Sequence, residues 1–287
     1  MTSVGVVTIA HGRHEHLVAQ ERSLRAGSRR PDLRVLVAMD DPAVGELVAD
    51  APWPTSVVSI PRHPLGLPLA AARNLGARIA IAAGADVLVF LDVDCVAGPG
   101  LVADYADAVA ADPARVWCGP VTYLPPAPPG GYPDDLTGWD DPHRARPAPA
   151  PGERIDGGDL DLFWSLSFAL HRDTWVGVEG FDEEYVGYGG EDTDFAQRAA
   201  SRGIGLGWTG GARAFHQHHA VESPPVSHLE DILRNGGLFA ARWGRWPMTG
   251  WLEAFEAEGL VERDGDGWRR ADRPHPQQTA NTRQEAS

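Results

Sequence analysis

The stretch Val87-Leu-Val-Phe-Leu-Asp-Val-Asp-Cys95 decides how this chain is read, because an apolar run of strand length stops at two carboxylates spaced two residues apart. In extended backbone, positions i and i+2 face the same side, so Asp92 and Asp94 are expected to project together from the carboxyl end of a strand. Open α/β sheets bind ligands beyond that end. Two packed carboxylates repel each other, and a divalent cation offsets the repulsion most readily. The pair therefore points to a metal, and the metal to a phosphorylated substrate.

Upstream, apolar runs at residues 4–10, 34–39, 56–60 and 86–91 alternate with helical patterns at 16–26 and 69–83. That alternation predicts an α/β, Rossmann-like fold, a mostly parallel sheet flanked by helices on both faces. From residue 120 the text changes to Pro125-Pro-Ala-Pro-Pro-Gly-Gly-Tyr132 and Arg146-Pro-Ala-Pro-Ala-Pro151, which reads as a long loop, either a flexible lid or an inert linker. Regular structure resumes at 160–171, then in a helix over 193–202 with Glu191 and Asp192 at its start, where the helix dipole favours carboxylates. A further amphipathic helix is expected over 229–243, followed by Trp246 and Trp251. We divide the chain into one domain, 1–265, and a disordered tail, 266–287. Within the domain lie a nucleotide-binding type of half (1–120), the proline-rich loop (121–155), a second half (156–220) and a C-terminal helical extension (221–265).

The 287 residues are 43% hydrophobic and carry 25 basic against 40 acidic side chains, a formal charge of -15. A field of that sign argues against nucleic acid and anionic lipid as partners. Cys95 and Cys118 form no spaced pattern and read as buried reduced thiols. The amino terminus lacks a basic n-region and reads as a first strand, and no apolar run approaches the roughly 20 residues that span a bilayer, so no integral membrane segment and a cytoplasmic location are expected.

Several other segments carry side chains suited to chemistry. Gly187-Tyr-Gly-Gly-Glu-Asp-Thr-Asp194 places glycines, which let backbone approach a ligand, before three carboxylates; capping of a helix explains the same letters. In Phe215-His-Gln-His-His219, His216 and His218 would share a face of an extended segment, and an imidazole can join two aspartates around manganese. Asp40-Asp41 before a proline reads equally as a turn or as a ribose or base contact. His11-Gly-Arg-His-Glu-His16 reads as a solvated loop beside the first strand, and Arg73 either snorkels at the surface or meets a diphosphate.

In this order the segments resemble glycosyltransferases of the GT-A fold, the family 2 group and the carboxyl-terminal region of β-1,4-galactosyltransferases above all. The resemblance spans most of residues 4–220. Asp92-Val-Asp94 is similar to the family's Asp-x-Asp motif, with Asp94 on the metal and Asp92 nearer the ribose, and Ala71-Ala-Arg-Asn-Leu-Gly76 to its Ala-Arg-Asn-x-Gly pattern. Gly189-Gly-Glu-Asp192 resembles the acceptor-side Gly-Gly-Glu-Asp motif, which implies Asp192 as general base and Glu191, Gly190, Asp194 and Tyr188 on the acceptor side. Tyr188 stands where the galactosyltransferases carry tryptophan. His216 falls where the family places a third metal ligand, with His218 as competitor, and Asp40, Asp41 and Arg73 fall on the donor side.

The resemblance implies metal-dependent (Mn2+ or Mg2+) transfer of a sugar from a nucleoside diphosphate sugar, a UDP-sugar first, to a hydroxyl acceptor with inversion. Tyr188, Trp164 and Trp139 are the candidates for stacking on sugar faces. A retaining transferase, a nucleotidyltransferase and a non-catalytic sugar-nucleotide or glycan-binding module on the same fold are the competing readings.

Overall fold

A computed structural model describes residues 2–220 and 222–272 of the chain. The first half alternates as expected: β1 (Val4–Ala10), α1 (His14–Ala26), β2 (Leu33–Met39), α2 (Val44–Leu47), β3 (Thr55–Ile60), α3 (Leu69–Ala82) and β4 (Val87–Leu91). It continues through β5 (Cys95–Ala97), α4 (Leu101–Ala111), β6 (Val116–Cys118), β7 (Val121–Tyr123), β8 (Arg154–Asp156) and β9 (Ser167–His171). Next come α5 (Arg172–Val178), α6 (Glu191–Ser201), β10 (Leu206–Thr209) and β11 (Ala214–His216). Last are α7 (Leu229–Trp243), α8 (Thr249–Ala257), β12 (Val261–Asp264) and β13 (Gly267–Arg270).

Eight strands form the central sheet in the order β3-β2-β1-β4-β9-β6-β10-β8. β1 pairs in parallel with β2 and β4, and β2 with β3, which buries all of β1, β2 and β4 and explains their unbroken apolar text. β9 runs antiparallel between β4 and β6. The strand order reverses at β1, with β2 on one side and β4 on the other, and a crevice opens at the carboxyl ends of such strands. A second sheet, β5-β11-β7, sits beyond the end of β4.

Helix α3 shows why the Ala-Arg-Asn-x-Gly letters recur together. A Cβ on Gly76 would lie 2.4 Å from Val7 Cγ1, so only glycine lets the helix settle onto β1. Asn74, one turn from the core face, accepts the Phe181 amide (2.8 Å) and donates to the Phe181 carbonyl (2.9 Å), stitching the approach to α6 onto α3. Its neighbour Arg73 is thereby turned inward and is only 4% exposed.

Two boundaries differ from the expected ones. The C-terminal extension is not wholly helical: the β12–β13 hairpin closes it, with Val261 and Trp268 packed against Leu229, Ile232, Leu252 and Phe255. Ordered chain therefore runs past residue 266, and the remainder of the expected tail, 273–287, lies outside the described residues. The proline-rich stretch holds one short 3-10 turn, Thr137–Trp139, and packs Leu136 into a cluster with Val96, Leu124 and Phe215. Among the described residues no helix is long and apolar enough to cross a membrane. Cys95 and Cys118 are buried free thiols, as expected.

Candidate active site

The site begins where β4 ends. The extended geometry expected for Asp92 and Asp94 does not hold, because the Cys95 amide donates to the Asp92 carbonyl at 2.9 Å and closes a turn immediately after Leu91. A turn breaks the i, i+2 alternation, and the two carboxylates acquire separate partners. Asp92 accepts from Arg73 Nη2 at 3.1 and 3.3 Å. Asp94 lies 3.5 Å from both His216 Nε2 and His219 Nε2.

His219 is the residue that the sequence reading missed. Strand β11 stops at His216, and the Gln217 amide donates to the Asp94 carbonyl at 2.8 Å. The alternation that would pair His216 with His218 is lost there: His218 is exposed, and His219 turns back to the carboxylate. Asp94, His216 and His219 form a group whose donor atoms all lie within 4.8 Å of one another. One carboxylate oxygen and two imidazole nitrogens are a donor set that fits a first-row divalent cation. Burial works against the Asp94 charge, but the His219 hydrogen bond and both imidazoles hold its pKa below the usual carboxylate range. Burial likewise lowers His216, keeping the ring neutral as a ligand must be.

Arg73 is not free to meet a diphosphate. Its guanidinium spends Nη2 on Asp92 and Nη1 on Glu191 Oε1, 3.3 Å away, inside the protein. One cation thus joins the end of β4 to the start of α6. Burial raises the Asp92 carboxyl to about 6, opposed by Arg73 and reinforced by Asp94.

Helix α6 is preceded by Gly190, whose φ of 90° lies in the left-handed region. Glu191 is buried beside Arg73, whereas Asp192 is half-buried and its Oδ1 accepts the Thr193 amide at 2.7 Å. Burial pushes both carboxyls above their ordinary range, and the like charge of Asp192 pushes Glu191 further. Asp194 corrects an expectation. It is 0% exposed and accepts from Tyr185 Oη, Arg242 Nη1 and Trp243 Nε1, so it fastens α6 to α7 and cannot face an acceptor.

Tyr188 is 36% exposed, its ring stacked on His228 with centroids 4.5 Å apart and tilted against Trp251 at 5.7 Å. Trp164 is half-buried over Arg146 and edge-on to His143 at 4.9 Å, and Trp139 is taken up in packing against Tyr132. Asp40 is exposed with φ 51°, while Asp41 accepts from the Gly12 amide (2.7 Å) and His14 Nε2 (2.8 Å), tying β2 to the β1 loop. The early histidines are accordingly not a solvated cluster: His11 contacts the Met39 carbonyl, and the His16 ring lies 6.5 Å from that of His219.

Residues 159–227, which hold β9, α6 and β11, match the family described as N-terminal domain of galactosyltransferase. Two curated proteins called validoxylamine A glucosyltransferase are each 34% identical over 158 residues, about half (49%) of this chain. They come from Streptomyces hygroscopicus subsp. jinggangensis and subsp. limoneus. The chain spans 37% and 34% of their lengths. Among solved structures, S. aureus TarS 1-349 aligns over 84% of this chain and 65% of its own, with TM-score 0.59 and 14% identity. GalNAc-T7 with UDP, GalNAc and Mn2+ aligns over 84% and 50%, with TM-score 0.55 and 15% identity. At those identities the likeness is one of architecture, and the architecture of this chain is the GT-A fold.

Proposed function

We propose that the chain is a glycosyltransferase that moves a sugar from a UDP-sugar to a hydroxyl acceptor, with inversion at the anomeric carbon. The observation that carries this reading is the guanidinium of Arg73, which ties the Asp92–Asp94 turn and the Glu191–Asp192 helix start to each other at the carboxyl end of β4. A transfer site needs those two halves, one for a diphosphate leaving group and one for an acceptor proton.

On the donor side Asp94, His216 and His219 would hold a divalent cation, which supplies positive charge to the diphosphate as negative charge develops there. Two imidazoles in three ligands favour manganese over magnesium, which prefers oxygen. The Mn2+ and UDP of GalNAc-T7 and the UDP of a second TarS structure support the same donor class. The name of the curated relatives makes glucose the first sugar to test. Asp40, at the end of β2, is the remaining exposed carboxylate for the ribose or base.

On the acceptor side Asp192 is the base. Thr193 occupies one of its oxygens and fixes the carboxylate, leaving Oδ2 for the acceptor proton. Burial raises its pKa, which makes it a stronger base than an ordinary aspartate. Tyr188, backed by His228 and Trp251, offers a flat wall suited to the apolar face of a ring-shaped polyhydroxyl acceptor. Glu191 positions the acceptor side through Arg73.

A thermal-shift screen of UDP-sugars with and without Mn2+, followed by Asp192→Asn, tests the assignment. Asp192→Asn is expected to keep Mn2+-dependent donor binding and lose turnover by several orders of magnitude; unchanged turnover in a folded protein would remove Asp192 from the role.

A further inference from the structure

We propose that the proline-rich segment between β7 and β8 is a strap that presets the imidazole ligands, with Tyr132 as its central positioning residue. The inference rests on the metal-site reading above and extends it to residues outside the motifs.

The segment touches the ligand-bearing strand along its length. Asp140 pairs with Arg213 at 2.8 Å, just before β11. Leu136 packs with Phe215, the middle residue of that strand. Tyr132 Oη accepts the His218 amide at 3.0 Å, between the two ligands His216 and His219, and donates to the Pro125 carbonyl at 2.7 Å. One phenol thus ties the start of the strap to the backbone that carries both imidazoles. Tyr123, at the end of β7, adds a stacked contact to the His216 ring with centroids 4.6 Å apart.

The strap is itself pinned at two further points. In its middle the Asp141 amide donates to Thr122 Oγ1 at 3.0 Å and the His143 amide to the Val121 carbonyl at 2.9 Å, which fastens the segment to β7. Toward its end Arg146 is 5% exposed and lies 5.0 Å from the centroids of both Trp164 and Trp208. Among the described residues its three guanidinium nitrogens have no hydrogen-bond partner of ordinary geometry, and the two indole faces help to hold the charge in place. Prolines suit such a strap, because their restricted φ leaves less chain entropy to lose on docking.

Groups that orient metal ligands change affinity by roughly 10- to 100-fold when removed, without contacting the ion. The experiment is an electron paramagnetic resonance titration of the full chain with Mn2+ alone, with apo melting temperatures recorded alongside. Tyr132→Phe, which keeps the ring against Trp139, is expected to weaken Mn2+ binding about 10-fold or more. Asp140→Asn is expected to weaken it in the same direction. Asp134→Asn, in the same segment but exposed, is expected to bind as wild type does. Turnover at saturating Mn2+ should survive in Tyr132→Phe, a separation that general loss of folding would not give. Wild-type affinity in both Tyr132→Phe and Asp140→Asn would overturn the strap while leaving the ligand set standing. A wild-type chain that binds no Mn2+ would overturn the ligand set and the strap with it.

Discussion

Asp92 and Glu191, from opposite halves of the chain, share a single guanidinium: Arg73 donates to Asp92 at 3.1 Å and to Glu191 at 3.3 Å. With Asp192 alongside, three carboxylates crowd around one cation, and burial raises the pKa of all three. The site holds more negative charge than the fold prefers, a state that favours recruitment of positive charge and a strong base.

Glu191→Gln should therefore stabilise the apo protein. A carboxyl whose folded pKa is raised contributes stability below its unfolded pKa, near 4.5, and loses that contribution as pH rises through the folded value. The variant is expected to melt higher than wild type at pH 8, with the gain vanishing near pH 4. Melting curves at the two pH values read the gain.

Arg73→Met removes the cation that offsets the charge of this cluster. Breaking a buried pair by deleting one partner costs about 3–5 kcal/mol. Arg73 lowers the pKa of Asp92, Glu191 and Asp192, so its loss should be worse at pH 8 than at pH 5, where the carboxyls can take up protons. Urea denaturation at the two pH values checks the sign.

His219→Ala and His218→Ala separate the proposed ligand from the competitor expected from sequence. His219→Ala should weaken Mn2+ binding at least 100-fold, and exposed His218, held to Tyr132 through its backbone amide, should be nearly silent when truncated. Isothermal titration of Mn2+ into each variant decides the pair.

Gly76→Ala places a methyl 2.4 Å from Val7 Cγ1, a clash that α3 or β1 must yield to. Overpacking of this kind costs about 1–3 kcal/mol. Because Arg73 sits one turn earlier on the same helix, the variant should also lose turnover, whereas Gly84→Ala, at the open end of α3, has nothing within 4 Å and strains only its own backbone.

What could be read from the letters alone follows physical periodicity. The runs that became β1, β2 and β4 are continuous because they are buried in a parallel sheet, and α3 and α7 repeat their apolar faces every turn. Regular structure over 160–171 was legible but the antiparallel direction of β9 was not, since the five residues Ser167–His171 do not declare it. Side-chain direction failed wherever a strand ended one residue earlier than alternation required. That happened at Leu91, which sent Asp92 and Asp94 to different partners, and at His216, which brought in His219. In sequence Asp194 read as an acceptor-side carboxylate and Arg73 as a charge at the surface or on a diphosphate. Their partners Arg242 and Glu191 lie 48 and 118 residues away, and no local pattern reports such pairs.

The central claim is that Asp94, His216 and His219 hold a divalent cation on a nucleoside diphosphate. Isothermal titration of UDP into the wild-type chain and Asp94→Ala, each with and without Mn2+, tests it most directly. The account predicts tight UDP binding only in wild type with Mn2+, and loss of the metal effect in Asp94→Ala. Equal UDP affinity with and without Mn2+, or an undiminished metal effect in Asp94→Ala, would contradict it.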